Sequence, residues 1–206
     1  VKRDTGQWLS VLLHCGVRVK IASTWAPIFA QVIDDDTFGK GDSEVSDFLG
    51  QVLHESDMLE CLEENLDYRT PGLLMKVWPS RFKSLADERP YLHNPEALAN
   101  KVYGDRMGNV HPGDGWRNRG SGLIQITGAD NLRTVQKLTG IPVYDHPELL
   151  RTATAECLRV CIAWWNGHIP DAVVGDVPRE TKIVNGGTVG LAEREKLTDE
   201  ARDALT

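Results

Sequence analysis

Glu55 and Glu64 are the residues of this chain with the clearest chemical potential. They lie nine positions apart in His54-Glu55-Ser56-Asp57-Met58-Leu59-Glu60-Cys61-Leu62-Glu63-Glu64-Asn65-Leu66-Asp67-Tyr68. Two carboxyls brought to one cleft can divide the cleavage of a glycosidic bond. One keeps its proton for the leaving oxygen, while the other stays ionised and activates a water. A chain with 30 acidic residues has many carboxylates that only face solvent, and Glu60, Glu63 and Glu64 could form such a face. The distinction rests on the helix that carries the first glutamate.

Val45, Phe48, Leu49, Val52 and Leu53 recur at i, i+3, i+4, i+7 and i+8, the apolar stripe of an amphipathic helix over 44–55. Asp42 or Ser43 caps its start, and Glu44 and Asp47 suit the positive end of the helix dipole. At about 100° per residue, Glu55 falls at the margin of the stripe near Phe48 and Val52, and His54 points to the opposite side. A carboxyl at the edge of an apolar face is partly desolvated, as a general acid requires. Glu64 would face away from Glu55 on an unbroken helix, so convergence needs a bend near Asp57–Cys61.

The remaining elements are mostly helical. Segments 7–16, 22–34, 71–74, 76–82 (broken at Pro79), 95–103, 129–139, 148–166 and 188–205 read as helices, with 148–166 apolar on most sides and therefore central. Period-2 alternation is scarce, leaving room for at most one small hairpin. Gly104 to Gly128 differs, with seven glycines and the cluster Trp116-Arg117-Asn118-Arg119. An ordered loop of that length is usually functional.

With 206 residues and 41% hydrophobic content, the chain can bury one substantial core or form two lobes. No apolar run approaches the roughly 18 residues of a membrane span, and Trp8–Leu13 reads as a first helix instead of a secretory leader. A net charge of −7 argues against nucleic-acid binding by bulk electrostatics. Cys15, Cys61, Cys157 and Cys161 read as buried free thiols, because no second pair or histidine accompanies Cys157 and Cys161 for a metal. His54-Glu55 opens a zinc-hydrolase pattern that fails at Met58, and Gly120-Ser121-Gly122 opens a dinucleotide pattern that fails at Gln125.

Several collinear segments together resemble glycoside hydrolase family 19, the plant-type chitinase fold, and within it the bacteriophage endolysins. They are His54-Glu55-Ser56, Glu64-Asn65-Leu66-Asp67-Tyr68, Trp78-Pro79-Ser80-Arg81-Phe82, Ala99 to Asn109, Gly115 to Gly128, Ala163-Trp164-Trp165, and Val184-Asn185-Gly186-Gly187 with Gly190 and Arg194. The resemblance implies a mainly α, lysozyme-like helical bundle with two lobes flanking a substrate cleft, as a single catalytic domain over 1–206 without a separate wall-binding module. Glu55 would be the general acid and Glu64 the general base of an inverting hydrolysis, with carboxyls roughly 6.5–9.5 Å apart to admit the water. Gln125, Thr127, Asn131 and Asn185 would line the sugar cleft, and Arg194 would keep Glu64 ionised.

Tyr68, Tyr103 and Trp116 would add aromatic surface for pyranose faces, although Trp116 serves equally as a loop anchor. Trp164 and Trp165 read as core. The chain departs from the family at Asn118 and Ser121, where an aromatic residue and an arginine are common, and these positions are expected to border the cleft. Leu132 in place of a common tyrosine reads as a packing change.

The expected activity is endolysin-type cleavage of β-1,4 bonds in bacterial peptidoglycan, without cofactor or metal. Chitinase action or a non-catalytic glycan-binding role on the same fold are the alternatives. The expected partner is the polysaccharide alone, with no nucleic acid, no membrane insertion and a monomeric state. The resemblance implies synthesis in a host cytoplasm and release to the periplasm through a separately encoded pore.

Overall fold

A computed structural model describes residues 2–206. The helices are α1 (Thr5–His14), α2 (Val19–Val32), α3 (Asp42–Glu55), α4 (Leu73–Val77), α5 (Leu85–Glu88), α6 (Pro95–Tyr103), α7 (Asp114–Arg117), α8 (Ala129–Thr139), α9 (Ala155–His168), α10 (Val177–Asn185) and α11 (Leu191–Leu205), with 3-10 turns at Arg89–Tyr91 and Pro147–Leu150. There is no strand among the described residues. The expected hairpin reduces to two isolated antiparallel bridges, Glu63 with Ser121 and Ser121 with Ile126.

Three apolar clusters organise these helices. The largest joins α1, α2, α3, α9 and α11 around Trp8, Trp25, Phe29, Phe48, Leu49 and Trp165. A second gathers Leu66, Leu74, Phe82, Leu98 and Val102, and a third gathers Ile126, Leu132, Val135, Leu150 and Val160. The segment 62–66 passes from the first cluster, which Leu62 borders, to the second, which holds Leu66. Ile124 packs against both the first and the third. Glu64 therefore sits where the clusters meet.

Helix α3 departs from the amphipathic expectation: every residue from Glu44 to Leu53 is buried. Its polar face lies under α11 and α10. At Gly50 a Cβ would come within 2.0 Å of Thr198 Oγ1 and 2.9 Å of Arg194 O, so only glycine allows α11 this close. Polar groups buried this way need partners. Glu44 accepts from Trp165 Nε1 (3.0 Å), and the Gln51 amide donates to Thr181 Oγ1 (3.0 Å). The N-cap is Gly41, not Asp42 or Ser43, because Asp42 is drawn into an ion pair with Arg3 at 2.8 Å.

Other boundaries moved for local reasons. The 148–166 helix is divided: Pro147–Leu150 forms a 3-10 turn, and Thr154 then caps α9 by accepting from Cys157 N. Helix α10 was not anticipated, although Asp176 capping and Pro178 in the first turn mark its start. Three of the cysteines are buried as expected, and Cys61 is only half-buried; all four are free thiols. Burial pushes the Cys15 and Cys157 thiols up to about 12. Trp165 lies in the core, whereas half-buried Trp164 stacks on His168 at 4.2 Å. Leu132 is fully buried, consistent with a packing role. No helix among the described residues is long and apolar enough to cross a membrane.

One buried carboxyl pair predicts a pH dependence of stability. Asp47 of α3 and Glu180 of α10 both accept from Gly175 N, at 2.8 and 3.1 Å. Burial, followed by the charge of Asp47, pushes Glu180 up to about 8, and burial also raises Asp47. The folded chain thus retains a proton that the unfolded chain releases near the ordinary carboxylate range. Stability is full below that range and is lost as pH rises through about 8. The melting temperature should be higher at pH 6 than at pH 9. Glu180→Gln, whose amide can donate to Asp47, should flatten this difference in a pH series of thermal melts. An equally steep series in the variant would exclude the pair as its source.

Candidate active site

Glu55 is the last residue of α3, and the chain then turns sharply. Asp57, Met58 and Leu59 adopt φ of 47°, 60° and 68°, three successive non-glycine residues in the left-handed region. Ser56 fastens this turn from inside: its hydroxyl donates to Val52 O (2.6 Å) and accepts from Leu59 N (2.9 Å). Cys61 N returns to Ser56 O at 2.8 Å. From α2, buried Trp25 donates its indole N–H to Leu59 O at 3.2 Å. This is the bend that the spacing of the two glutamates requires.

The Glu55 side chain is 17% exposed and pairs through Oε1 with Arg194, whose side chain is 1% exposed. The same guanidinium donates to Gln51 Oε1 (2.7 Å) and Val189 O (3.2 Å). Among the described residues nothing hydrogen-bonds Glu55 Oε2. The expectation that Arg194 serves Glu64 is therefore corrected. Arg194 belongs to α11, which lies along α3, and that packing delivers its guanidinium to the end of α3. His54 is also covered by α11, pairing with Glu193 at 2.9 Å.

Glu64 is held by different groups. Tyr103 of α6 donates its hydroxyl to Glu64 Oε1 at 2.6 Å, and Gly120 N donates to Oε2 at 3.1 Å. Glu64 N in turn donates to Gly120 O at 2.9 Å. Burial, and then the charge of Glu64, push the Tyr103 hydroxyl above its ordinary range, so it remains a proton donor. Both Glu64 oxygens thus accept, as an ionised carboxylate does. Neighbouring Glu63 is ion-paired with Arg119, which lies 3.5 Å over the Trp116 ring. Glu63 and Glu64 are thereby distinguished. Glu63 and Glu64 both line an open groove of about 340 Å³ with Asn65, Leu66, Asp67, Pro95 and Trp116, and Glu55 is not among its lining residues.

The other expected residues divide into two groups. Tyr68 stands edge-on to Trp78 at 5.4 Å, with its hydroxyl raised by burial and then by the charge of Glu64. Gln125, at φ 53°, donates to Gly122 O (3.1 Å) and Cys61 O (3.5 Å), and its Oε1 lies beside Gly120. These two adjoin Glu64, as do Tyr103 and Trp116. Thr127 donates to Gln125 O (3.0 Å), and exposed Asn131 donates to Thr127 O (2.8 Å), so both continue the Gln125 loop without touching a carboxylate. Asn185 is exposed at the end of α10. The loop after it leads to Gly190, which packs on His54 beside Glu55.

Asn118 and Ser121 do not border a cleft. They are 1% and 0% exposed and are bonded within the loop, Asn118 to Asn109 Oδ1 (2.9 Å) and Ser121 to Arg119 O (2.9 Å). The sequence reading also missed Gln51, which steadies Arg194, and Gly120, whose amide holds Glu64. Gln51 had a signal, because Asp47, Gln51 and Glu55 recur every four residues on one face of α3. The role of Gly120 depends on a tertiary approach that leaves no periodic trace. Among the described residues no group of three or more His, Cys, Asp and Glu is placed to hold a metal ion.

The chain is 35% identical over 152 residues to a glycosyl hydrolase family 19 domain-containing protein of Haemophilus influenzae, an alignment covering 73% of this chain and 74% of that one. Its fold is similar to chitinase C from Streptomyces griseus HUT6037, with TM-score 0.59, 14% identity, and coverage of 96% of this chain and 91% of the other. A mutant of chitinase C gives TM-score 0.53 at 15% identity, with the same coverage. No protein-family model matches the chain.

Gly120 provides a direct test of the Glu64 geometry. A Cβ there would lie 2.7 Å from Gln125 Oε1, 3.1 Å from Glu64 Cβ and 3.2 Å from Glu64 Oε2. Gly120→Ala should push Glu64 off its donors and reduce glycan hydrolysis roughly 100-fold, the scale of about a 1 Å misplacement. The overpacking should cost about 1–3 kcal/mol of stability. Reducing-sugar release and thermal melts on the same preparation would check both, and full activity would show that this contact is dispensable.

Proposed function

The chain belongs to glycosyl hydrolase family 19, and from that premise we propose that it is an endolysin-type enzyme that hydrolyses β-1,4 bonds of bacterial peptidoglycan with inversion. The observation that carries the mechanism is the unequal holding of the two carboxyls. Glu55 is bound on Oε1 alone, by a buried guanidinium that orients it and whose charge by itself favours the ionised form. In this reading the proton passed to the leaving oxygen is carried on Oε2, which no group among the described residues occupies. Glu64 accepts from Tyr103 on one oxygen and from Gly120 on the other, and either oxygen retains a lone pair for a water. In this reading the water attacks the anomeric carbon as Glu64 takes its proton. The glycosidic C–O bond breaks, and the departing oxygen receives the proton of Glu55.

Peptidoglycan is favoured as substrate by the collinear endolysin-like segments from His54 to Arg194. The aromatic and amide side chains around Glu64 suit an amino-sugar polymer, with Trp116 and Tyr68 for ring faces and Gln125 for hydroxyls. In this reading the enzyme reaches the wall after pore-mediated release and causes lysis. Chitin is the second substrate to test, because chitinase C of Streptomyces griseus shares the fold.

Glu55→Gln should abolish clearing of permeabilised bacteria while its circular dichroism matches the parent. Glu64→Gln should lose activity by at least about 100-fold, the scale of general acid–base assistance. Proton NMR of the first products should show the inverted, α anomer. Normal turnover by Glu55→Gln would remove the acid from this scheme, and a β anomer as first product would remove inversion. Sugar release from colloidal chitin without clearing of bacteria would move the substrate from peptidoglycan to chitin.

A further inference from the structure

We propose that Arg151 is a positioning residue for Glu64, acting through the loop 117–121; this inference rests on the reading of Glu64 as the base. Arg151 follows the 3-10 turn Pro147–Leu150, remote in sequence from both carboxyls. Its Nε donates to Ser121 Oγ at 2.9 Å and its second guanidinium nitrogen donates to Arg117 O at 2.6 Å. Ser121 passes the restraint on by donating to Arg119 O at 2.9 Å. The peptide between these anchors contains Gly120, whose amide holds Glu64 Oε2 at 3.1 Å. Arg151 thus closes the loop on both sides of the group that fixes Glu64.

The placement of this cation calls for an explanation. Arg151 is half-buried and makes no ion pair among the described residues. Burial, and then the like charge of Arg119, disfavour its charged form, while Glu63 and Glu148 act the other way. Both of its side-chain hydrogen bonds go to the single loop that carries Gly120. Its support is rigid: Leu150 is buried, its carbonyl accepts from Cys157 Sγ at 3.3 Å, and its Cβ would lie 3.5 Å from a Cβ at Gly122. Ser121 is fully buried and pairs with Ile126 through both backbone groups, at 3.1 and 2.8 Å. The loop is also tied by the Arg119–Glu63 ion pair, by Glu64 N on Gly120 O and by the Arg117 side chain on Tyr144 O and Asp145 O, and Arg151 is the side chain that grips it on both sides of Gly120. The Arg151 tie can be removed by substitution without altering the main chain or the Arg119–Glu63 ion pair.

The test is steady-state kinetics on peptide-free peptidoglycan glycan strands, with the parent, Arg151→Ala, Ser121→Ala, the double variant and Glu64→Gln. Arg151→Ala should lower kcat roughly 10- to 100-fold, as expected for a displaced catalytic group, with KM within about 2-fold, measured well below its melting temperature. Ser121→Ala should lower kcat in the same direction, and the double variant should be no worse than Arg151→Ala, because the two residues form one restraint. A purely structural role would lower the melting temperature and leave kcat of the folded enzyme unchanged, which would overturn the proposal. If Arg151→Ala does not fold, Ser121→Ala decides: parental kcat overturns the proposal and a reduced kcat at constant KM supports it. Glu64→Gln separates the two readings. Parental turnover in that variant overturns the assignment of the base and this inference with it. An inactive Glu64→Gln beside a fully active Arg151→Ala overturns this inference alone.

Discussion

Asp57, Met58 and Leu59 hold left-handed backbone in succession without a glycine, at a cost of about 1–2 kcal/mol for each residue. The remainder of the candidate site depends on that cost being met. Any relaxation toward helix would extend α3 past Glu55 and carry Glu64 to another face of the molecule. The compensating groups are all buried or hydrogen-bonded. Ser56 accepts Leu59 N, Trp25 donates to Leu59 O, and Leu59 itself is 2% exposed. Trp25 also belongs to the main core beside Phe29. The energy of the largest apolar cluster is thereby applied to one peptide group in the turn. Strain of this kind persists where the surroundings over-determine it, and it concentrates at functional sites.

A second constraint lies in the polar side of α3. Glu44, Asp47, Gln51 and Glu55 follow one another down a helix that is otherwise sealed, and their partners come from α9, the turn at Gly175, α10 and α11, with Arg194 shared by Gln51 and Glu55. Trp165 of α9 serves Glu44, Gly175 serves Asp47, and Thr181 of α10 and Arg194 of α11 serve Gln51. Burying a polar group without a partner costs about 1–3 kcal/mol by mutational measure, so these contacts dictate how α9, α10 and α11 dock. They do more than add stability. The arginine that orients Glu55 is delivered by a helix whose approach is permitted by the missing side chain at Gly50.

The sequence was most informative where one element determines the outcome. The stripe from Val45 to Leu53 located α3 and the position of Glu55 at its end, and the need for a bend before Glu64 followed from helical geometry alone. It was less informative where two distant segments meet. Arg194 was assigned to the wrong carboxylate, because linear order cannot show that α11 lies along α3. Asn118 and Ser121 were expected at a cleft edge, because polarity in a glycine-rich loop suggests solvent. Both are buried, Asn118 bonded to Asn109 within the loop and Ser121 bonded to Arg119 O and to Arg151. The all-round burial of α3 was hidden for a related reason: polar residues on a helix look solvent-facing until their buried partners are known. Helix α10 lies outside the sequence expectation despite a readable cap, because Asp176 opens only nine helical residues, Pro178 among them.

The two carboxyls differ in how firmly, and from where, they are held. Glu55 is restrained by α11 through a charged fork that also binds Gln51, so its position follows the packing of the main core. Glu64 is restrained by a phenol from α6 and an amide from the loop after α7, and so follows the second cluster and the loop. Any relative movement of these units would alter the gap between the carboxyls while leaving each carboxyl's own hydrogen bonds intact. A reaction that needs one water between two side chains is sensitive to that gap. The connection between the two sides is the short segment 56–63, whose backbone is pinned by Ser56, by Trp25 and by the Gln125 amide on Cys61 O. Fixing a distance across two packed units is best done by a strained, over-bonded turn that cannot lengthen. In the proposed mechanism a flexible linker would leave the separation of the two carboxyls free to vary, and the orientational advantage of the pair would be lost.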